Sequence, residues 1–211
     1  MGIDNSHLAA YSNTLMEFNT LQSYRKMKEA AVSDGIQLQA INAFKSFSHE
    51  QNVFENELFH YLDRGKTILD AYKIVTEYVP IPGTSRYHWG TDVDFIDLNV
   101  DIPHGYVIDE EHFLPGGMFY HLTQWLQLNA HQYDFHQPYT DDVYRKGFGY
   151  EPWHYSYQPV ASRIIKQINI NELVEKIHTT QLEGLDLIPD SFLPNYIEDF
   201  MFGINKELLY F

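Results

Sequence analysis

Two short segments of this sequence hold the residue types from which a hydrolytic metal site is built. The first segment contains His88, Asp92 and Asp94, and the second contains Glu151 and His154. A mononuclear hydrolytic zinc site needs three protein ligands, usually histidine and carboxylate, and an open position for water. A separate carboxylate then takes the proton of that water. Together, the two segments can supply all of these groups.

Each of these residues also has a simpler structural interpretation. A lone His88 is more often a hydrogen-bonded structural histidine than a ligand, and Glu151 could cap a turn before the following proline. Asp92 shares a strand face with Asp94 and could orient a ligand, whereas Asp92 and Asp97 could also be solvent-exposed. The remaining histidines show no ligand spacing and are predicted to be surface or core residues: His7, His49, His60, His104, His112, His121, His131, His136 and His178.

The elements that must position these residues follow from apolar periodicity and from helix-breaking residues. Apolar residues at three- and four-residue steps from Leu15 to Ala31 predict a helix that Gly35 ends. Residues 92–97 alternate as in a strand whose one face carries two carboxylates, and residues 82–90 are predicted to form a loop. Further helices are predicted over residues 48–65 and 68–79, after residues 116–117 and from residue 168 onward, with strands over residues 36–41, 135–139 and 153–157.

This order of elements predicts an α+β fold. Helices alternate with short strands, and their spacing does not form regular βαβ units. A length of 211 residues demands no second domain, so we expect a single domain over residues 1–211. Within it we expect an N-terminal helix over about residues 1–34, a catalytic core over about residues 35–165 and a C-terminal helical tail over about residues 166–211.

Composition excludes several classes of partner and site. The net charge is -15, with 14 basic residues against 29 acidic ones, so the basic footprint that nucleic acids require is missing. The chain has no cysteine, so any metal must be held by histidine and carboxylate. No membrane span is predicted, because no segment approaches the roughly 20 apolar residues that one needs. Residues 1–5 lack the features of a signal peptide.

The two segments also carry the motifs of a known family. They read PGTSRYHWGTDVDF at residues 82–95 and GYEPWHY at residues 149–155. This combination resembles the VanY-type D-alanyl-D-alanine carboxypeptidases and the related dipeptidases, whose hallmark is Ser-x-His-x-x-Gly-x-x-x-Asp followed by Glu-x-x-His. The resemblance extends from about residue 35 to about residue 160. It implies the small α+β zinc-peptidase fold, in which helices surround a mostly antiparallel sheet and Zn²⁺ lies in a groove along it.

The resemblance implies a role for each residue that matches these motifs. Asp94 and His154 match metal ligands, and Glu151 matches the general base that activates a metal-bound water. Ser85 matches a serine that helps to bind the substrate, and Trp153 resembles the aromatic residue that shapes the site.

The first motif departs from the family pattern at one position. Tyr87 stands where the first ligand histidine is expected, and His88 follows it. If the loop is shifted by one residue, His88 binds zinc, because a neutral imidazole is a better ligand than a phenol with a pKa of about 10. If the register is the family's, Tyr87 faces the metal position. We favour His88 as the third metal ligand beside Asp94 and His154, with Tyr87 among the substrate-binding residues.

A second departure lies upstream, in the run Phe44-Lys45-Ser46. The family has an arginine where this chain has Lys45, and that arginine stabilises a developing oxyanion or the substrate carboxylate. Lysine keeps the positive charge but loses the bidentate fork of arginine. Lys45 could be a solvated charge, but the resemblance implies that it is catalytic together with Glu151.

These features together imply a zinc-dependent peptidase that hydrolyses peptidoglycan stem peptides as a D-alanyl-D-alanine carboxypeptidase. One alternative is a catalytically impaired or inactive family member that binds cell-wall peptides, because Tyr87 and Lys45 depart from the pattern. Another alternative is an endopeptidase of the endolysin type that cuts inside the stem peptide. Such a protein works in the cell envelope, in the periplasm or outside the cell, in which case a signal peptide has been trimmed.

Overall fold

A computed structural model describes residues 1–209 of the chain, and its strands form two antiparallel sheets. The strands of this region are β1 (Leu8–Tyr11), β2 (Thr14–Glu17), β3 (Leu38–Asn42), β4 (Asp92–Asp97), β5 (Phe135–His136) and β6 (His154–Tyr157). β1 and β2 form a hairpin, and the other four strands form a sheet in the order β3-β4-β6-β5. The central pair, β4 and β6, brings the two sequence motifs side by side.

Helices surround this sheet, and polar side chains mark where several of them begin. The α-helices of residues 1–209 are α1 (Phe18–Ser33), α2 (Phe47–Leu62), α3 (Ile68–Val75), α4 (Tyr120–Asn129), α5 (Gln158–Lys166), α6 (Ile170–His178) and α7 (Phe192–Tyr196). The Ser46 hydroxyl accepts the His49 N–H at the start of α2, and the Thr67 hydroxyl accepts the Asp70 N–H at the start of α3. The predicted α+β fold is therefore confirmed.

The apolar residues pack into two buried clusters. One cluster joins α1, α4 and the four-stranded sheet, and it includes the fully buried Tyr24 and Phe95. The other joins α2, α3 and the C-terminal helices, and it includes Phe54 and Tyr72. Both clusters contribute to the walls of one pocket, which holds the candidate site.

The N-terminal region differs from the predicted helix. Leu15 lies in β2 rather than on a helix face, and α1 begins at Phe18, where the carboxylate of Glu17 accepts the Thr20 N–H. The β1–β2 hairpin before α1 was not predicted, because apolar residues at three-residue steps run across the boundary between strand and helix. The predicted helix over about residues 1–34 is corrected to a hairpin followed by α1.

Other predicted elements are present with shifted ends. α3 stops at Val75, four residues before the predicted end, and β5 ends at His136 instead of at residue 139. The C-terminal region is helical as predicted, but residues 210–211 of the predicted tail lie outside the described residues. None of the helices in residues 1–209 combines the length and the apolar character that crossing a lipid bilayer requires.

Candidate functional site

Strands β4 and β6 place two carboxylates beside one imidazole. Asp94 pairs with His154 across the antiparallel ladder, and Asp92 pairs with Ser156. Residues two apart on a strand share a face, so both aspartates lie on the side of His154. His154 is 1% exposed, and its Nε2 lies 3.0 Å from Asp92 Oδ1.

Asp92 anchors a buried charged network beneath His154. Its carboxylate accepts hydrogen bonds from Arg86 Nε, from the Thr91 hydroxyl and from the Ser156 hydroxyl, each at 2.9 Å. Burial raises the pKa of Asp92, but the charge of Arg86 and the hydrogen bond with His154 outweigh burial and lower the pKa to about 2. Asp92 is therefore ionised at neutral pH and holds the His154 ring in place.

A 3₁₀ turn over Arg86–Trp89 turns Tyr87 towards the site and His88 away from it. Gly90 ends this turn in a left-handed conformation with φ of 69°. A Cβ atom at Gly90 would lie 2.8 Å from the backbone nitrogen of Glu17, so glycine is needed where the β1–β2 hairpin approaches. The Glu17 N–H donates to the Gly90 carbonyl at 2.8 Å, which fastens the turn to the hairpin.

The hydroxyl of Tyr87 lies between Asp94 and His154. It donates to Asp94 Oδ1 at 2.6 Å and lies 3.3 Å from His154 Nδ1. The Tyr87 ring stacks on the imidazole with 4.9 Å between ring centroids. Burial and the negative charges of Asp94 and Glu151 raise the pKa of Tyr87, so the phenol stays neutral. Because the Tyr87 hydroxyl directs its hydrogen to Asp94, its oxygen can accept a hydrogen bond from His154 Nδ1.

Glu151 approaches the same nitrogen of His154. Glu151 Oε2 lies 2.7 Å from His154 Nδ1, while Asp94 Oδ1 lies 4.0 Å from it. Burial lowers the pKa of His154, but its hydrogen bonds with Asp92 and Glu151 and the surrounding negative charges outweigh burial and raise the pKa to about 9. In this arrangement, His154 is an imidazolium enclosed by carboxylates at neutral pH.

Lys45 places a positive charge at the same pocket. Its Nζ lies 4.1 Å from the Tyr87 ring centroid and 4.0 Å from Glu50 Oε1, and 28% of its side chain is exposed. Glu50 is buried and accepts a hydrogen bond from the Ser85 hydroxyl at 3.2 Å. Burial raises the pKa of Glu50, although the charge of Lys45 and the Ser85 hydroxyl act in the opposite direction.

A pocket of about 220 Å³ collects most of the predicted site residues. Those in its wall are Lys45, Ser85, Tyr87, Asp94, Glu151, Trp153 and His154. Tyr139 and Tyr196 add aromatic surface to the same wall. The pocket therefore offers the Lys45 ammonium, the His154 imidazolium, two carboxylates and aromatic rings. Such a set can hold a small ligand that carries both a carboxylate and amide N–H groups.

The structure does not bring His88 together with Asp94 and His154. The Nε2 of His88 accepts the Gly83 N–H at 3.0 Å, and its Nδ1 lies 2.7 Å from the Lys45 carbonyl oxygen. Burial lowers the pKa of His88 to about 4, so a neutral ring can donate from Nδ1 and accept at Nε2. Both nitrogens are engaged with backbone. The prediction that His88 completes a metal site is wrong in this structure, because the loop keeps its unshifted register.

Zn²⁺, the metal that the resemblance implies, does not fit the donors assembled here. Within residues 1–209, no group of three or more His, Asp or Glu side chains is arranged to hold a metal ion. Asp94 and His154 present two suitable donor atoms 4.0 Å apart, and their shared neighbour is the neutral phenol of Tyr87. A hydrolytic zinc site uses three histidine or carboxylate ligands, so one is missing.

Three residues that shape the site were missed by the sequence reasoning. Arg86 forms the buried ion pair with Asp92, Glu50 lies beneath the pocket cation, and Asn42 Nδ2 donates to Asp94 Oδ2 at 2.8 Å. Arg86 had a signal, because it stands inside the first motif near a strand of carboxylates. Glu50 and Asn42 lie on distant elements, and nothing in their local sequence links them to the motifs.

Comparison of sequences supports the motif assignment. The family model described as VanY: D-alanyl-D-alanine carboxypeptidase matches residues 13–160. An uncharacterised protein of Haemophilus influenzae is 33% identical over 112 residues, which are 52% of this chain and 85% of that protein. A D-alanyl-D-alanine carboxypeptidase of Enterococcus faecalis is 27% identical over 142 residues, or 66% of this chain. The match spans 47% of that enzyme, about half its length.

Comparison of structures shows the same fold in two solved proteins. VanYB in complex with D-alanine-D-alanine superposes with a TM-score of 0.57 at 19% identity, covering 85% of this chain and 86% of that one. A mutant of the vancomycin-resistance D,D-pentapeptidase VanY in complex with Zn(II) has a TM-score of 0.54 at 20% identity, covering 92% and 90%. At these identities the likeness concerns the fold, which is the fold that the motifs implied.

Proposed function

We propose that this chain, which belongs to the VanY family of D-alanyl-D-alanine carboxypeptidases, acts on peptidoglycan stem peptides by binding their D-alanine end in the Tyr87 pocket. The observation that carries the proposal is the combination of Lys45 with Asp94 and Glu151 around one small pocket. A peptide end presents a carboxylate to a cation and N–H groups to carboxylates. The preference for D-alanine comes from family membership and from the D-alanine-D-alanine complex of VanYB.

Lys45 is suited to meet the peptide carboxylate. Arg86 and the imidazolium of His154 also lie in the wall, but both are buried and contact carboxylates at 3.0 Å or less. Lys45 is partly exposed, and its Nζ lies 4.0 Å from Glu50 Oε1. Two unit charges 4 Å apart attract each other by about 1 kcal/mol in water and about 4 kcal/mol near a protein surface. Lys45 can therefore contribute roughly tenfold or more to affinity, since tenfold corresponds to about 1.4 kcal/mol.

A second candidate function is hydrolysis of the same peptide, as a zinc-dependent carboxypeptidase of this family. Its support is that Glu151, Asp94 and His154 remain together, with Glu151 2.7 Å from the imidazole. When bound in such a site, zinc would supply Lewis-acid activation of water and carbonyl. The donors present do not fit that metal, so we assign no hydrolytic step to it. For either function, a peptidoglycan substrate favours the cell envelope as the place where the protein acts.

Calorimetry and mass spectrometry on the same samples test both candidates. The purified chain is titrated with a synthetic stem pentapeptide that ends in D-Ala-D-Ala and with its L-Ala-L-Ala counterpart. Binding of the first peptide without release of D-alanine supports recognition, whereas release of D-alanine supports hydrolysis. Cleavage at an internal bond would indicate an endopeptidase. If neither peptide binds, or if both bind equally, the proposal is wrong.

A pair of variants tests the role of Lys45. Lys45→Gln should weaken binding of the D-Ala-D-Ala peptide about tenfold or more, because it removes the cation that faces the carboxylate. Lys26→Gln is the matched control, since it removes the same charge from an exposed position on α1. Equal dissociation constants for the two variants would contradict the assignment of Lys45.

A further inference from the structure

We infer that the Tyr87 hydroxyl takes the place of a divalent cation between Asp94 and His154, so that this pocket works without a metal. The inference deepens the proposed function and rests on it for the identity of the peptide ligand. Metal binding by this chain's own residues can be tested separately from peptide binding.

The donor atoms of Asp94 and His154 lie slightly farther apart than they would on a metal ion. Asp94 Oδ1 and His154 Nδ1 are 4.0 Å apart, and the Tyr87 hydroxyl contacts them at 2.6 Å and 3.3 Å. On one tetrahedral zinc, with bonds of about 2.0–2.2 Å, two such donors would stand roughly 3.4 Å apart. The pair is thus held slightly wider than a metal would hold it, as expected when hydrogen bonds replace shorter coordinate bonds.

The imidazole of His154 is oriented as in a metal site. His154 Nε2 is taken by the buried carboxylate of Asp92, so Nδ1 is the nitrogen that faces the hydroxyl. A carboxylate on the far nitrogen is the arrangement that fixes metal-binding histidines. Asp94 and an oriented His154 are therefore in place as for a metal site, and Tyr87 occupies the space that a metal ion and its third ligand would need.

Tyr87 supplies hydrogen bonds in the space that a metal ion would occupy. Its hydroxyl donates a hydrogen bond to Asp94 Oδ1 and can share the N–H of His154 Nδ1 with Glu151 Oε2, which lies 2.7 Å from that nitrogen, so both groups have partners without a metal. Lys45 Nζ lies 4.1 Å from the centre of the Tyr87 ring. This ammonium would repel a divalent cation placed next to the ring. Hydrogen bonding and charge both favour the metal-free state.

A shorter side chain at position 87 would open this space. An imidazole is shorter than a phenol by roughly 2 Å, which is about one zinc–nitrogen bond. A histidine at position 87 would therefore end about one bond short of the present hydroxyl and leave that position open to a metal. Tyr87→His should create a three-ligand site with Asp94 and His154.

Zinc titration in competition with a chromophoric chelator tests the inference at pH 7. We expect wild type and Tyr87→Phe to bind no zinc in the pocket, and Tyr87→His to bind one zinc per chain. The zinc affinity of Tyr87→His should exceed that of wild type at least about 100-fold, since mutating a residue that only hydrogen-bonds to a metal ligand already changes metal affinity by about 10- to 100-fold. Zinc should also raise the melting temperature of Tyr87→His alone, because a ligand bound only to the folded state stabilises it.

Two results would overturn the inference. One is a folded Tyr87→His variant that gains no zinc. The other is that the wild-type chain binds one zinc and the Asp94→Asn variant binds none. This second result decides the question even if Tyr87→His fails to fold. Peptide titration with and without EDTA separates the two proposals. If EDTA leaves the dissociation constant of the peptide unchanged, recognition is metal-free; if EDTA weakens peptide binding, the inference is contradicted. If the peptide does not bind at all, the proposed function is wrong, but the zinc titration still decides whether the pocket binds a metal.

Discussion

Replacing Asp92 by asparagine should destabilise the fold more than any neutralisation on the protein surface. Asp92 is fully buried and pairs with Arg86, which is 3% exposed. Asparagine has nearly the same size, so the variant removes the charge without opening a cavity. Loss of one partner leaves the other charge buried and uncompensated, which costs about 3–5 kcal/mol. For a chain of this size, that loss lowers the melting temperature by about 6–20 °C.

Urea denaturation at pH 7 measures this loss, with Asp97→Asn as the matched control. Asp97 lies on the same strand, is also buried, and its Oδ1 accepts the backbone N–H groups of Gln37 and Asn99. An asparagine carbonyl can accept the same bonds, so the control should lose about 1 kcal/mol or less. If Asp92→Asn loses no more free energy of unfolding than Asp97→Asn, the buried ion pair does not stabilise the site.

Three further outcomes are expected. The pKa of His154 is raised to about 9 from its ordinary 6.5. Protonated His154 therefore stabilises the metal-free fold, with its full contribution below pH 6.5, and this contribution to the free energy of unfolding is lost as pH rises through about 9. Melting temperatures should show this decline, and His154→Gln should flatten it. His88→Ala should lower the free energy of unfolding by about 2 kcal/mol or more in urea denaturation, because it leaves the Gly83 N–H and the Lys45 carbonyl without their partner. Zinc titration of this variant should match wild type. Altered zinc binding would instead support a loop shifted by one residue, with His88 as a ligand. Gly90→Ala should lose about 1–3 kcal/mol through backbone strain at φ of 69°, and an unchanged melting temperature would contradict that.

Local patterns in the sequence were sufficient for the family and for the central strand. Residues 92–97 alternate along their whole length, and β4 has these bounds because alternation is a property of a few neighbouring residues. Asp94, Glu151 and His154 could be chosen because each stands in a motif with fixed spacing, and the fold brings all three to one pocket. The strand face that Asp92 shares with Asp94 also indicated that Asp92 could orient a ligand.

Tertiary structure alone decided which of two adjacent residues enters the site. In a 3₁₀ turn, a step of one residue rotates the side-chain direction by about 120°, so Tyr87 and His88 point in different directions and contact different partners. The choice depends on contacts distant in sequence, since His88 binds the carbonyl of Lys45 and the turn is fastened to Glu17 through Gly90. Apolar periodicity in the sequence cannot tell which of two adjacent loop residues faces a site. The packing of distant segments against the loop determines it.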